Sequence, residues 1–150
     1  MKGSMIPRLA GVALLACPAL AFAAEKVPDV KGKWTGKSYS IIAGIGGHWP
    51  TSNGSFDKPK ISEKDVQIEI TGQDERHIWG ITTLTGGGET TNEPFIGELS
   101  GKGNQEVLMV DTDGILKGEL RGGVLSYCYT QVGGKSNASV VSCTEVKRAR

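Results

Sequence analysis

From residue 30 onward the chain alternates apolar and polar positions in short runs, each ended by a turn signal, with almost no helical period between them. The cleanest run is Lys64 to Thr71, where Val66, Ile68 and Ile70 alternate with Asp65, Gln67 and Glu69. Read the same way, strands are expected at 33–43, 64–71, 77–85, 93–100, 105–112, 115–121, 124–132 and 139–148. Gly72 to Arg76, Gly101 to Asn104 and Gly122-Gly123 supply turns. Asp113-Gly114 is a hairpin signal because both residue types tolerate positive φ. The longest connection, Gly44 to Lys60, is rich in Gly, Pro, Ser and Asn.

No βαβ spacing appears, so the fold class is all-β, and short links between sequential strands favour an eight-stranded antiparallel up-and-down barrel. A β-sandwich is the alternative. Gly36, Gly80, Gly97 and Gly118 each sit mid-strand among large apolar residues. Glycine weakens a flat strand but permits strong coiling and close side-chain approach, which suits a small barrel.

Residues 1–23 read as a signal peptide rather than as part of the fold: Lys2 and Arg8, an apolar run from Leu9 to Leu20, then Ala21-Phe22-Ala23 before Ala24. The run is too short to span a bilayer. Leu14-Leu15-Ala16-Cys17 offers a second reading, a bacterial lipobox with a lipid anchor at Cys17. Both readings place residues 24–150, a single β-barrel domain, outside the cytoplasm: periplasmic or secreted from a bacterium, with an outer-membrane lipoprotein as the alternative.

Charge narrows the partners. The whole chain has 17 basic and 16 acidic residues, a net charge of +1. Loss of Lys2 and Arg8, with no acid in the removed segment, turns this to −1. No basic surplus exists for a phosphate backbone, so no nucleic-acid partner is expected. P-loop and dinucleotide fingerprints are absent, and no cofactor is expected. Cys128 and Cys143 are the cysteines left after processing, and an even count in an oxidising compartment predicts a disulfide. If they face each other, Leu125 pairs with Val146, Tyr127 with Thr144 and Tyr129 with Ser142. The tyrosine face then turns inward, and Arg148 ends at one barrel mouth on the side of Val146.

Gly32-Lys33-Trp34 resembles the Gly-x-Trp opening of the calycin superfamily: lipocalins, fatty-acid-binding proteins and avidins. The resemblance implies that Trp34 plugs a closed end and that Arg148, near the end of the last strand, packs across it. A guanidinium over an indole is worth about 0.5–2 kcal/mol. Gly32-Lys33-Trp34-Thr35 also looks like the avidin opening, and Ser40 falls where avidins use a serine for biotin. Gly36 replaces the avidin asparagine, so biotin is not expected.

Period-two counting from Trp34 puts Gly36, Ser38, Ser40 and Ile42 inside, facing Tyr127, Tyr129, Ser142 and Thr144. Hydroxyls and phenol rings over an apolar base suit a small-molecule pocket; a filled core with hydroxyls bonded to each other is the other outcome. Trp49, beside His48 in the long loop, is expected to cover the mouth. Asp111-Thr112-Asp113-Gly114 resembles the start of a calcium loop, but the later acidic ligand is missing, so a turn is favoured and no metal is expected. Nearly every carboxylate counts to the outside, which argues against an enzyme. The expected function is an exported, non-enzymatic barrel for a small, partly apolar ligand, with contacts from Ser40, Trp49, Tyr127 and Tyr129. The alternative is a protein-binding barrel such as a periplasmic protease inhibitor, with Ala24 to Lys31 as an inserting tail.

Overall fold

The computed structural model describes residues 26–44, 54–133 and 138–149. Eight antiparallel strands close into an up-and-down barrel in sequence order: β1 (Gly32–Gly44), β2 (Lys60–Asp74), β3 (His77–Gly86), β4 (Glu89–Ser100), β5 (Glu106–Val110), β6 (Gly114–Arg121), β7 (Val124–Gln131) and β8 (Ala138–Arg148). β1 pairs with both β2 and β8, so the sheet has no free edge. The strands are staggered. Stepping across partners from Ile61 on β2 through Ile41, Val141, Thr130, Ile115, Val110, Ile96 and Trp79 returns to β2 at Gly72, well along the strand. That stagger tilts the strands and sets the width of the interior.

Alternation decides what fills it. Trp34, Val66, Ile68, Ile70, Ile78, Phe95, Leu99, Val107, Met109, Leu125 and Val146 are buried in one core near the end where β1 starts. Trp34 seals that end. It is 3% exposed, and its indole Nε1 donates to the Val30 carbonyl at 3.0 Å. The Arg148 guanidinium lies 5.8 Å from the indole centroid and donates to the Asp29 and Lys31 carbonyls. Gln73 fixes the same segment, accepting from Val30 N and donating to Pro28 O, both at 2.9 Å. Residues 28–31 therefore lie across the closed end.

Six strands are longer than the alternation predicts, and two, β5 and β7, are shorter. β4 begins at Glu89, because Thr85 and Thr90 pair by their hydroxyls at 3.2 Å and Thr83 donates to Asn92 at 2.8 Å, which extends the β3–β4 ladder. β2 runs from Lys60 to Asp74. β5 stops at Val110, because Asp111 turns the chain. The β6–β7 turn is the expected glycine hairpin, with positive φ at Gly122 and Gly123. At Asp113-Gly114 the hairpin forms by a different route. Neither residue has positive φ; instead Asp111 Oδ1 accepts from the amides of Asp113 at 3.1 Å and Gly114 at 2.6 Å.

Candidate functional site

β1 runs from the seal at Trp34 towards Gly44, and strict alternation then puts the β1–β2, β3–β4, β5–β6 and β7–β8 connections together at the other end. Below them the interior is not filled. A cavity of about 80 Å³ lies between Ser40, Ile42, Phe95, Leu116, Tyr127 and Gln131. That is several times the roughly 10–15 Å³ that one water needs by this kind of measure. Its floor is apolar, made by Phe95, Met109 and Leu116.

Two glycines give the tyrosines their places. A Cβ on Gly118 would stand 2.6 Å from the Tyr127 Cβ, its cross-strand partner. A Cβ on Gly114 would stand 2.1 Å from the Tyr129 hydroxyl. Gly114 is thus required for room rather than for backbone freedom. Through that room the Tyr129 hydroxyl reaches Asp113 Oδ1 at 3.0 Å, while Gln131 Nε2 donates to Asp113 Oδ2 at 2.8 Å. Burial first, then the Asp111 and Asp113 charges, push the Tyr129 phenol well above its ordinary pKa.

The hydroxyls of the wall divide into two groups. Ser38 and Ser142 satisfy each other at 2.7 Å. Ser40 (8% exposed) and Tyr127 (7% exposed) line the cavity. Burial alone raises the Tyr127 pKa. Thr91 Oγ1, on β4 and off the cavity wall, is buried without a partner among the described residues. A few polar groups on a mostly apolar wall are the usual means by which a pocket orients a guest.

Among the described residues Glu93 is the carboxylate that departs from the outward count. Glu93 shares the face of Phe95 and Leu99 and is buried at the top of the cavity. Oxygens of Glu93, Asp111 and Asp113 lie within 4.8 Å of one another. The acid missing from the Asp111–Gly114 sequence thus comes from a neighbouring strand. Lys64, on the face of Val66, is buried on the same wall; burial, opposed by Glu93 and Glu89 and helped by Lys60, lowers its pKa to about 8. Glu93 and Lys64 were legible in principle, each two residues before a core residue. Their charge disguised their side.

Among the residues expected at the site, Ser40, Tyr127 and Tyr129 line the cavity. Thr144, expected inside, is not on the cavity wall. Its hydroxyl donates to the Lys37 carbonyl, and the β1–β8 pairing lapses between Lys37 and Ser40. Trp49, His48 and Cys17 lie outside the described residues. Phe56 is exposed, and His77 lies at the surface. Cys128 and Cys143 form a disulfide on the outer surface, with Cα atoms 4.0 Å apart and the flanking pairs in the expected register.

No helix among the described residues is long and apolar enough to cross a membrane. No protein-family model, no curated protein and no solved structure matches the chain.

Proposed function

We propose that this chain is an exported, calycin-like barrel that binds a small, partly apolar molecule inside its open end and catalyses no reaction. The observation that carries the reading is the unfilled cavity at the open end, walled by Ser40 and Tyr127 over an apolar floor of Phe95, Met109 and Leu116. The apolar floor would hold the body of the ligand, and the polar groups would set its orientation. Export is supported by the disulfide and by the leader-like sequence of residues 1–23.

Native mass spectrometry of protein taken from its own source tests this. A bound small molecule is expected in the wild type and none in Ser40→Leu, which fills the cavity. A ligand retained by the filled variant, or a wild type that takes nothing from an extract of small metabolites, would count against it.

A protein partner is the second reading. Trp79, Ile96, Val110 and Ile115 are exposed on the outer face and are successive cross-strand neighbours over β3 to β6. A contiguous exposed apolar row of this kind marks interaction surfaces. The inserting-tail version has less support, because Val30 is buried and its neighbours are bonded over the closed end. Ile96→Asp should abolish capture of a protein partner while leaving the interior cavity untouched.

A further inference from the structure

We infer that the cavity holds a small apolar aldehyde by a reversible covalent bond to Lys64, whose amine condenses with the carbonyl group to form an imine. The inference rests on the ligand-binding reading above and names the chemical class of that ligand. One bond forms per molecule bound, and nothing turns over.

The first ground is the place of Lys64. It lies on the inward face of β2, two residues before Val66, and is 8% exposed. It lines the cavity together with Leu84, Phe95, Met109 and Leu116. Every other lysine among the described residues is exposed. A Cβ on Gly86 would stand 3.0 Å from the Lys64 Cγ, so the bare backbone of Gly86 gives the lysine stem its room. Burial lowers the pKa of the amine, with Lys60 adding to the effect and Glu93 and Glu89 opposing it, to about 8. At pH 7 about a tenth of such an amine is neutral, against less than about a thousandth of an ordinary lysine. The neutral form carries the lone pair that attacks a carbonyl carbon.

The second ground is the charge of the rest of the wall. Glu93 and Asp111 line the same cavity and repel an anionic ligand. Lys64 and Glu93 are each already engaged within the protein, so neither serves as a counter-ion for a charged guest. A neutral carbonyl compound meets neither obstacle. Its addition to Lys64 also preserves the charge balance of the wall. The amine nitrogen bonds to the carbonyl carbon, the π pair moves to oxygen, and a proton passes from nitrogen to oxygen. The hydroxyl then leaves as one molecule of water while the C=N bond forms. Once protonated, the imine keeps a positive charge and an N–H, so the attraction of Glu93 and Glu89 for the Lys64 nitrogen continues. The alkyl body of the aldehyde lies on the apolar floor of Phe95, Met109 and Leu116.

The test incubates the whole chain at pH 7 with butanal and sodium cyanoborohydride, which reduces an imine to a stable secondary amine. Peptide mass spectrometry then reads the rate at each lysine. Lys64 is expected to be butylated at least about tenfold faster than any other lysine. Filling the cavity with Ser40→Leu should remove that preference and leave the surface lysines unchanged. If Ser40→Leu does not fold, excess butanol, which has the same skeleton and no carbonyl, should slow Lys64 of the wild type instead. Lys64 labelled no faster than the surface lysines, or labelled equally with the cavity filled or blocked, overturns the imine inference. NMR shifts caused by butanol at the Ser40 and Tyr127 amides check the ligand-binding reading separately. Shifts there without a Lys64 preference overturn the imine inference alone. Neither shifts nor a preference overturns both.

Discussion

Trp34 and Arg148 are cross-strand partners at the two chain ends of the barrel, and the guanidinium of one covers the indole of the other at 5.8 Å. The contact joins the first strand to the last and holds residues 28–31 over the seal. Trp34→Ala is expected to lower stability by about 3–5 kcal/mol through the cavity it leaves. Arg148→Ala should cost less, about 0.5–2 kcal/mol, because Arg148 lies at the surface. Urea unfolding of both variants checks the order, and an Arg148 variant as damaged as the Trp34 variant would show that the seal depends on something else.

The disulfide joins residues 15 apart on β7 and β8. By the loop-entropy argument it contributes roughly 3 kcal/mol. The Cys128→Ala/Cys143→Ala double variant should lose about that much and keep the barrel, since every β7–β8 backbone pair remains. Circular dichroism with urea unfolding measures both, and loss of the strand signal in water would contradict it.

Removing a polar atom from a core ordinarily destabilises. Here the opposite is expected. Ser40→Ala and Tyr127→Phe delete hydroxyls on the cavity wall, so each should leave the free protein as stable as wild type or up to about 1 kcal/mol more stable. Both should weaken ligand binding. A loss of stability in the free protein would mean that the hydroxyls are bonded within the fold.

Lys64 gives the barrel a pH signature. Its pKa falls from 10.5 in the unfolded chain to about 8 in the fold, so the unfolded chain binds more protons between those values. Stability should therefore rise as pH increases from about 8 towards 10.5, and below 8 the full penalty remains. Lys64→Met should be free of this rise. Parallel stability–pH curves for wild type and variant would refute the assignment.

Much of this architecture lies in local pattern. Period-two alternation placed Trp34, Ser40, Tyr127 and Val146 on one face, and glycine turns made successive strands antiparallel neighbours. The Cys128–Cys143 pair set the last hairpin's register, because a one-residue slip would turn both tyrosines outward. Those relations depend on residues near one another along the chain or on a single shared register.

The tertiary structure decided the rest. Stagger around the closed sheet determines which level of one strand meets which level of another, and no local pattern encodes it. It carries Glu93 of β4 to the acids of the β5–β6 turn and Tyr129 of β7 over Gly114 to Asp113. It also leaves a gap in the β1–β8 ladder between Lys37 and Ser40, where the Thr144 hydroxyl turns to the Lys37 carbonyl and off the cavity wall. Alternation alone shows which side chains face inward. Only closure of the barrel shows that they fail to fill the interior, because the space left depends on the distance across the barrel between strands remote in sequence.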